Sequence, residues 1–185
     1  LQKRFKNLKV VVHPVNLGYG ETLKDGFRRS RGKLIFYTDS DNQYDIVELD
    51  QLLPLIKRYD IVAGFRKKHC DPLARIVVSN IYNLIIRLLL GLKVKDIDCS
   101  FKLYRSEIFK SIKIKSRTGL VDAEILKKAL RSGFTIVQVP VNHYPRSSGK
   151  TIYEIGGRNR WFAMVDPKVP VEIFKEIRKL WRELY

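Results

Sequence analysis

The stretch Lys33-Leu-Ile-Phe-Tyr-Thr-Asp-Ser-Asp-Asn-Gln43 decides the fold that this sequence predicts. Its first half is apolar, which is typical of a buried strand in a parallel sheet. Its second half carries Asp39, Asp41 and Gln43, and open α/β sheets bind ligands just beyond the carboxyl ends of their strands. Carboxylate and amide oxygens suit Mg²⁺ or Mn²⁺ carrying a diphosphate. The alternative is a strand that ends in an ordinary polar turn, since Asp, Ser and Asn are common turn residues.

Strands and helices alternate along the rest of the chain. The predicted strands are Leu8–Val12, the segment ending at Asp39, Asp60–Gly64, Phe101–Tyr104 and Thr135–Val141. The predicted helices are Glu21–Arg31, Ile46–Tyr59, Pro72–Leu90 and Val121–Ser132. This order predicts an α/β fold in which a mainly parallel sheet has helices on both faces.

The charge balance is strongly basic. The chain has 36 Lys and Arg residues against 19 Asp and Glu residues, which gives a formal net charge of +17. Such a surface favours polyanionic partners, namely nucleic acid, anionic lipid or phosphorylated substrates. The sequence has neither zinc-finger spacing nor an aromatic strand of the RNA-binding type, so we expect no nucleic-acid partner.

The cysteines and the apolar runs bear on where the protein works. Cys70 and Cys99 have neither metal-like spacing nor the number that a disulfide scaffold needs, which favours a reducing, cytoplasmic setting. No uninterrupted apolar run reaches the ~18 residues of a membrane-spanning helix. The chain opens at Leu1 without a methionine and leads directly into the predicted strand Leu8–Val12. We therefore expect a piece of a longer chain.

The predicted helix Pro72–Leu90 is apolar on most of its surface. Its polar residues recur every four positions and form one narrow stripe, which consists of Arg75, Ser79, Asn83 and Arg87. Such a helix is either deeply buried in a core or partly immersed in lipid, and the pattern leaves both open. Arg75 and Ser79 together would offer a phosphate a charged fork and a hydroxyl group.

The segment 169–185 has a second amphipathic pattern. Apolar and aromatic residues such as Ile173 and Trp181 share one face, whereas Lys175 and Arg182 lie on the other. Aromatic residues beside Lys and Arg suit a helix that lies in a membrane interface. The alternative, equally open from the pattern, is a terminal helix docked on a protein core.

The glycines of Asn16-Leu-Gly-Tyr-Gly20 do not form a dinucleotide-binding fingerprint, because the third glycine position is Leu23. They are better suited to opening a helix whose backbone N–H groups lie near an anion. The segment Ser148-Gly-Lys-Thr151 is similar to the end of a phosphate-binding P-loop, but the required first glycine is Tyr144. The histidines lack the spacing of a zinc site.

Five motifs follow one another along most of the chain. They are Asn16-Leu-Gly-Tyr-Gly20, Asp39-Ser-Asp-Asn-Gln43, Asp60-Ile-Val-Ala-Gly-Phe-Arg66, Asp96-Ile-Asp-Cys-Ser-Phe-Lys102, and Val139-Pro-Val-Asn-His-Tyr-Pro-Arg146 leading to Lys150. In this order the chain resembles family-2 glycosyltransferases of the Rossmann-like GT-A fold. Within them it looks most like the dolichyl- or polyprenyl-phosphate sugar transferases, including the dolichyl-phosphate mannosyltransferases.

The resemblance implies roles at the donor side. Asp39, Asp41 and Gln43 look like the set that holds a divalent metal and the donor diphosphate. Arg66 looks like the arginine that lies near the phosphates, although Phe65 replaces the usual serine. Three residues of the first motif would also bind substrate, namely Asn16, Gly18 and Gly20.

Further positions follow from the resemblance. Arg75 and Ser79 match a pair on the helix that meets the lipid phosphate of the acceptor. Arg146 looks like the residue that clamps phosphate when the loop after the last strand closes, and with Arg66 it would stabilise the charge that builds on the leaving group. Lys150 would bind substrate. Four further carboxylates are candidates for orienting basic side chains or for acting as a base, namely Asp96, Asp98, Asp122 and Glu124.

One departure from the family is large. The family begins with a strand that carries a Pro-x-Tyr-Asn-Glu-like motif and continues with a strand that carries an Asp-Asp-x-Ser motif, and this chain has neither. Both help to bind the nucleotide. We therefore expect an N-terminally truncated GT-A domain over residues 1–168, followed by the amphipathic helix 169–185.

The implied function is metal-dependent, inverting transfer of a sugar from GDP-mannose or a UDP-sugar to a polyprenyl or dolichyl phosphate. Asp41, Arg66 and Arg146 would be the catalytic residues, with Mg²⁺ or Mn²⁺ as cofactor. The acceptor phosphate has a second pKa near ~6 and is largely dianionic at neutral pH, so it needs no strong base.

The basic charge suits a peripheral position on the cytoplasmic face of an anionic membrane, because each basic residue near the surface contributes about 1 kcal/mol. The alternative function is an inactive fragment, or a non-enzymatic module that binds polyanions or membranes. Such a module would need a partner for the missing nucleotide-binding half.

Overall fold

The computed structural model describes residues 3–67, 73–145 and 168–185. Within these ranges the strands are β1 Leu34–Thr38, β2 Ile61–Arg66, β3 Phe101–Arg105 and β4 Ile136–Val141. The α-helices are α1 Tyr19–Arg29, α2 Leu73–Leu90, α3 Glu107–Ser111, α4 Val121–Arg131 and α5 Lys168–Leu184. Two 3₁₀ segments, Ile46–Gln51 and Leu55–Lys57, lie between β1 and β2.

The strands form one mixed sheet in the order β1-β3-β2-β4. β3 is antiparallel to both of its neighbours, whereas β2 and β4 are parallel to each other. β1, β2 and β4 therefore run in one direction, in line with the predicted mainly parallel sheet, and β3 is the reversed strand. Its apolar pattern could not reveal the reversal, because strand direction is set by the neighbours that share its hydrogen bonds.

The sheet separates two apolar clusters, and side chains alternate between them along β2. Ile61 and Ala63 belong to one cluster, which also contains residues of α1, α2, α4 and α5. Val62 belongs to the other cluster, together with Leu52 and Ile56 from the region of the 3₁₀ segments. The α-helices therefore cover one face of the sheet, and the short 3₁₀ segments cover the other.

The predicted strand Leu8–Val12 does not form. Val10 and Val12 are exposed, and the segment has no assigned secondary structure. A strand is stable only when its backbone N–H and C=O groups pair with a neighbour. Within the ranges given above, no strand pairs with this segment. The prediction was therefore wrong for this structure.

The predicted helix Ile46–Tyr59 is replaced by the two 3₁₀ segments. Asp45 starts the first segment by accepting a hydrogen bond from the backbone N–H of Val47 at 3.0 Å. Pro54 prevents a continuous α-helix, because it has no N–H and disfavours a helical residue before it. The other predicted helices and strands form, with ends shifted by at most two residues.

One side of α5, the C-terminal helix, is buried against the core. Four of its apolar residues belong to the cluster that also contains α4, namely Ile173, Ile177, Leu180 and Leu184. Phe174 and Trp181, which the sequence assigns to the same apolar face, remain 59% and 45% exposed. The helix is thus docked on the core, which was one of the two alternatives. An interfacial role for its exposed side stays a prediction.

α2 turns part of its polar stripe towards the core and leaves much of its apolar face exposed. Asn83 of the polar stripe is buried, together with Ile86 and Leu90. Five apolar residues are largely exposed and are called the outer face of α2 below: Val77, Ile81, Leu84, Ile85 and Leu88. Among the helices described, none is both long and apolar enough to cross a membrane.

Candidate functional site

The two aspartates that follow β1 lie in a tight turn. Asn42 has a φ of 66°, a left-handed conformation that Asn adopts more readily than most residues. Asp41 Oδ1 accepts a hydrogen bond from the backbone N–H of Gln43 at 3.3 Å. This bond fixes the turn, and it leaves Asp39 and Asp41 at the carboxyl end of β1, where the sequence predicts them.

Gln43 connects this turn to the segment after β4. Its side-chain Nε2 donates to the carbonyl oxygen of Tyr144 at 3.2 Å. The backbone N–H of Tyr144 donates in return to the carbonyl oxygen of Gln43 at 2.9 Å. Gln43 is buried, so these contacts give it a structural role in joining two loops. Its role as a metal ligand stays a prediction.

Antiparallel pairing brings the start of β3 to Asp39. Thr38 pairs with Phe101, so the residues that flank this pair lie side by side. Ser100 Oγ donates to Asp39 Oδ2 at 2.6 Å. The carboxylate of Asp39 is therefore held in one orientation by a residue that is distant in sequence.

The pKa of Asp39 lies above its ordinary value. Loss of hydration at the carboxyl group is the largest cause, and the hydrogen bond from Ser100 opposes it. The negative charges of Asp41 and Asp122 raise the pKa further, whereas Lys102 lowers it. A divalent cation bound between Asp39 and Asp41 would remove this repulsion, so the pair has the electrostatics of a cation site.

Lys102 supplies a positive charge in the interior of the site. The residue is fully buried, and its Nζ donates to Asp122 Oδ1 at 2.7 Å and to the carbonyl oxygen of Cys99 at 2.6 Å. Burial is the largest influence and would lower the pKa of the ammonium group, but Asp122, Cys99 and Asp98 together outweigh it, and the pKa lies above its ordinary value. Removing one partner of such a pair lowers the free energy of unfolding by about 3–5 kcal/mol, because the other charge stays buried without a partner.

Two tyrosines extend this network towards α1. The hydroxyl groups of Tyr19 and Tyr37 are hydrogen-bonded to each other, and Tyr19 also donates to Asp122 Oδ2 at 3.2 Å. Burial is the largest cause that raises the pKa of both phenols above its ordinary value, and the charge of Asp122 adds to it. Both phenols therefore remain neutral at physiological pH.

Sequence reasoning missed most of this network. Tyr19, Tyr37, Ser100 and Lys102 were not predicted as site residues, and Asp122 was only a candidate carboxylate. One signal was available: Lys102 stands between apolar residues in a short strand. A lysine buried in a strand needs a partner of opposite charge.

Arg66, at the end of β2, is held by Asp96. Its Nε and Nη2 donate to Asp96 Oδ2 and Oδ1 at 2.7 and 2.8 Å, and its backbone N–H donates to Oδ2 at 3.3 Å. Burial alone would raise the pKa of Asp96, but the hydrogen bonds from Arg66 outweigh it and the pKa lies below its ordinary value. Asp96 therefore orients the guanidinium group and offsets much of its charge.

The four candidate carboxylates divide into two kinds. Asp96, Asp122 and Glu124 each form an ion pair with a buried or half-buried cation. Asp98 forms no ion pair within the described part of the chain, and its hydrogen-bond contact is Asn83 Nδ2 at 3.5 Å. Burial raises the pKa of Asp98 to about 7, and the charges of Asp122 and Asp96 add to this. Asp98 is thus suited to exchange a proton near neutral pH.

The glycines open α1 as predicted, but their N–H groups already have partners. The N–H of Gly18 donates to Asn16 Oδ1 at 2.9 Å, and that of Gly20 donates to the carbonyl oxygen of Arg117 at 3.2 Å. Gly18 has a φ of 86°, and a Cβ at Gly20 would lie 2.7 Å from the Arg117 carbonyl carbon. Both positions therefore need glycine. Substrate binding by Asn16, Gly18 and Gly20 stays a prediction.

Three predicted site residues have no described side chain. Arg146 and Lys150 lie outside the described residues, and Arg75 is described only by its place on α2. Ser79 lies one turn after Arg75 and is half-buried. Its carbonyl oxygen accepts a hydrogen bond from Asn83 Nδ2 at 3.0 Å.

A polar cavity of about 220 Å³ lies beside the end of β2, between α2 and the loop before β3. It is lined by Phe65, Arg66, Asn80, Asn83, Lys95 and Asp96. Lys95 Nζ lies 4.4 Å from the centre of the Phe65 ring. Because Asp96 offsets much of the charge of Arg66, Lys95 and the amide groups are what suit the cavity to an anion such as a phosphate.

The predicted metal site has two carboxylates and no larger protein cage. Groups of three or more His, Cys, Asp or Glu side chains that could hold a metal are absent from the described part of the chain. Mg²⁺ is commonly held by one or two carboxylates, with phosphate oxygens and water as its other ligands. Asp39 and Asp41 fit that kind of site.

The chain matches known proteins over most of its length. The model of Glycosyl transferase family 2 matches residues 1–113. Glycosyltransferase AglD of Haloferax volcanii is 30% identical over an alignment of 169 residues that covers 83% of this chain and 27% of that protein. Dodecaprenyl-phosphate galacturonate synthase of Rhizobium johnstonii is 28% identical over an alignment of 170 residues that covers 90% of this chain and 49% of that protein. The chain thus spans half the length of these relatives or less.

A solved structure shows the same fold. Glucosyl-3-phosphoglycerate synthase of Mycobacterium tuberculosis, in complex with Mn²⁺, UDP-glucose and glycerol 3-phosphate, has a TM-score of 0.55 at 19% identity. The match covers 84% of this chain and 54% of that chain. The predicted α/β fold of the GT-A class is confirmed. On the match to its family model, the chain belongs to glycosyl transferase family 2.

Proposed function

We propose that this chain forms the metal- and acceptor-facing part of a glycosyltransferase. The enzyme would move a sugar from a nucleotide-diphosphate sugar to a polyprenyl or dolichyl phosphate, with inversion at the anomeric carbon. The observation that carries the proposal is the pair of Asp39 and Asp41, which Ser100 and the turn at Gln43 fix at the carboxyl end of β1. This pair stands in a chain of glycosyl transferase family 2.

Asp39 and Asp41 would hold Mg²⁺ or Mn²⁺ together with the donor diphosphate, from GDP-mannose or a UDP-sugar. The Mn²⁺ and UDP-glucose bound by the fold relative support this assignment. Such an ion, held by Asp39 and Asp41, would supply Lewis-acid stabilisation to the diphosphate leaving group. The hydrogen bond from Ser100 orients Asp39 in advance, so that less reorganisation is needed when the donor binds.

The resemblance implies that Arg66 lies near the donor phosphates, and the polar cavity beside it, which α2 also lines, would hold the phosphate of the acceptor next to them. Arg66 and Lys95 supply positive charge there, and Asn80 supplies an amide group. Asp96 holds the guanidinium of Arg66, which would meet a phosphate in a preset orientation. A polyprenyl-phosphate acceptor is supported by the name of the Rhizobium johnstonii relative, a dodecaprenyl-phosphate galacturonate synthase.

The acceptor needs little activation. A phosphate monoester with a second pKa near ~6 is largely dianionic at neutral pH, and the dianion can attack the sugar directly. Asp98, with a pKa of about 7, could take the remaining proton from a monoanionic phosphate. On the family resemblance alone, we assign Arg146 to the leaving diphosphate of the donor and Lys150 to substrate binding.

The acceptor is a lipid, so the enzyme must meet it at a membrane. We propose that the outer face of α2 contacts the cytoplasmic side of the membrane peripherally, since an apolar stripe of this size marks an interaction surface. The Tyr185 hydroxyl donates to the carbonyl oxygen of Leu89, so the end of α5 adjoins α2. The exposed side of α5 carries Trp181 one turn after Arg178, and the net charge of +17 favours anionic lipid.

Activity measurement tests the proposal. The full-length protein is incubated with Mn²⁺ or Mg²⁺, labelled GDP- and UDP-sugars and dodecaprenyl phosphate in lipid vesicles, and glycolipid is extracted and counted. We expect Asp41→Asn to lower kcat by about 100-fold or more, because the amide keeps the size of the side chain but loses the charge that binds the metal.

Asp45→Asn is the matched control. Asp45 lies four residues further along and caps the 3₁₀ segment through Val47, so its substitution removes an equal charge outside the proposed site. We expect it to keep kcat within about twofold, as for most surface changes. The proposal is overturned if no donor yields glycolipid, and the metal assignment is overturned if both variants keep wild-type activity.

A further inference from the structure

A short loop between α3 and α4, residues 115–118, is held between two glutamates. Glu124 of α4 accepts hydrogen bonds from the backbone N–H groups of Lys115 and Ser116, the latter at 2.7 Å. Glu176 of α5 accepts from the backbone N–H of Arg117 at 2.8 Å and from Ser116 Oγ at 2.9 Å. Three successive N–H groups are thus bound by carboxylates from two helices. Hydrogen bonds to charged acceptors are about twice as strong as neutral ones.

Glu176 also fixes the end of this loop. The Thr118 hydroxyl donates to the same carboxylate oxygen that accepts from Ser116. Glu176 is half-buried, and all three of its partners belong to the 115–118 loop. The position of α5 on the core therefore sets the position of the loop.

The start of α1 rests directly on this loop. The N–H of Gly20 donates to the carbonyl oxygen of Arg117, and a Cβ at Gly20 would lie 2.8 Å from the carbonyl oxygen of Ser116. No side chain separates the two backbones, so a shift of the loop moves the helix start. The Arg117 Nε also lies 3.2 Å from Glu21 Oε1.

The first residue of α1, Tyr19, belongs to the hydrogen-bond network of the site. Tyr19 precedes Gly20, and its hydroxyl group bonds to Tyr37 and to Asp122. Asp122 holds the buried Lys102, and Tyr37 lies on β1 two residues before Asp39. A continuous set of contacts therefore leads from α5 to the end of β1, which Asp39 follows.

We propose that Glu176 is a positioning residue for the donor side of the site. It fixes the 115–118 loop, the loop fixes the first turn of α1, and that turn fixes Tyr19 against Asp122. The docked position of α5 on the core therefore determines how Asp39 and its neighbours are placed to bind the donor diphosphate. The link to the donor rests on the function proposed above, whereas the link from Glu176 to α1 does not.

α5 itself offers a matched control. Glu183 lies two turns after Glu176 and also joins α5 to the body of the protein. Its carboxylate binds the ammonium groups of Lys115 and Lys128 and contacts no backbone N–H of the loop among the described residues. Substitution of Glu183 therefore removes two ion pairs of α5 and leaves both its apolar contacts with the core and the hydrogen bonds of Glu176 in place.

Hydrogen exchange tests the structural link in the full-length protein without any substrate. We expect Glu176→Ala to accelerate exchange at the amides of Arg117 and Gly20 by about tenfold or more, because a hydrogen bond to a charged acceptor is lost. Glu176→Gln keeps an acceptor oxygen and should restore part of the protection. Glu183→Ala should leave the exchange rate of the Gly20 amide within about twofold of the wild-type rate. Faster exchange at Arg117 with unchanged exchange at Gly20 would overturn the link.

Steady-state kinetics test the link to the donor. We expect Glu176→Ala to raise the KM for the nucleotide sugar by about tenfold, with the acceptor KM unchanged and with partial rescue in Glu176→Gln. A fall in kcat at unchanged donor KM, equal in Glu176→Ala and Glu183→Ala, would show a general structural effect and overturn the proposal. A wild-type protein without transferase activity would instead overturn the proposed function, and the exchange pattern would still decide whether Glu176 holds α1.

Discussion

The helices α2 and α5 have similar amphipathic sequence patterns, but they turn different faces towards the core. α5 turns its apolar face inward, whereas α2 leaves much of its apolar face exposed. α5 buries apolar residues of its predicted face, with Ile177 and Leu184 almost fully excluded from water. α2 turns the polar residue Asn83 towards the core and leaves its outer face exposed, up to 74% at Leu88. Hydropathy alone would orient both helices in the same way.

The contacts of Asn83 explain the difference. Its Oδ1 accepts a hydrogen bond from the backbone N–H of Ile97 at 2.7 Å, and its Nδ2 donates to the carbonyl oxygen of Ser79. A rotated α2 would leave the N–H of Ile97 buried without a partner, at a cost of about 1–3 kcal/mol. A buried hydrogen-bonding side chain can therefore decide which face of an apolar helix turns inward, and the apolar face left outside becomes a surface for a partner or a lipid.

The largest expected effect concerns the buried side of α5. Leu180 is 4% exposed, and Leu180→Ala should lower the free energy of unfolding by about 2–4 kcal/mol, because it leaves a cavity in the core. Phe174→Ala, on the exposed side of the same helix, should change it by less than about 0.5 kcal/mol. Urea unfolding followed by tryptophan fluorescence measures both. Equal effects would mean that α5 does not dock through this side.

The next effect concerns the buried amide of α2. Asn83→Ala and Asn83→Leu should each lower the free energy of unfolding by about 1–3 kcal/mol, because both leave the N–H of Ile97 unpaired. Asn80→Ala, on an exposed position of the same helix, is the control and should have little effect. If Asn83→Leu instead stabilised the protein, hydropathy rather than the hydrogen bond would set the orientation of α2.

A smaller effect depends on pH and involves Asp98, which lies against Asn83 on the inner side of α2. Its pKa is about 7 in the folded protein, against an ordinary value of 3.8. Between these values the folded state binds more protons than the unfolded chain, so stability falls as the pH rises. Asp98→Asn should remove this fall in the free energy of unfolding. We expect the fall to be about 1–2 kcal/mol, because the side chain is only partly buried and solvent reduces the effect.

Chemical unfolding at pH 5 and pH 8 measures this difference for the wild type and the variant. Asp60→Asn is a suitable control, because Asp60 lies just before the start of β2, where its carboxylate contacts Thr135 and Arg105. A pH dependence that is identical in the wild type and in Asp98→Asn would mean that Asp98 ionises normally.

The smallest expected effect on stability belongs to the outer face of α2. Leu88→Ser should change the free energy of unfolding by less than about 0.5 kcal/mol. It should nevertheless weaken binding to vesicles of phosphatidylcholine and phosphatidylserine by about tenfold, because one leucine no longer enters the lipid. Leu130→Ser on α4, where the leucine is 40% exposed, is the matched control. Equal loss in both variants would count against a specific membrane face.

Local pattern predicted most elements but not their partners. The apolar run before Asp39, the helix before Leu90 and the strand from Phe101 all form with small shifts at their ends. The failed strand prediction has a cause outside the segment itself. Leu8–Val12 has the composition of a strand, but within the described residues it has no strand to pair with, and pairing is a property of the neighbour as much as of the segment.

The candidate site shows the same division. The spacing of Asp39 and Asp41 after a strand predicts where the two carboxylates lie, and the structure has them at that end of β1. The contact from Ser100 to Asp39 could not be predicted, because it depends on β3 running antiparallel to β1. Neither could the ion pair of Lys102 with Asp122, which joins β3 to α4.

The sequence by itself therefore determined the order of strands and helices, the family and the acidic pair after β1. These are local features, since side-chain periodicity and turn chemistry act over a few residues. Only the tertiary structure decided the direction of β3, the inward face of α2 and the contacts of Glu176 with the loop below α1. Each of these depends on hydrogen bonds between segments far apart in the chain, and their energies exist only once those segments are packed together.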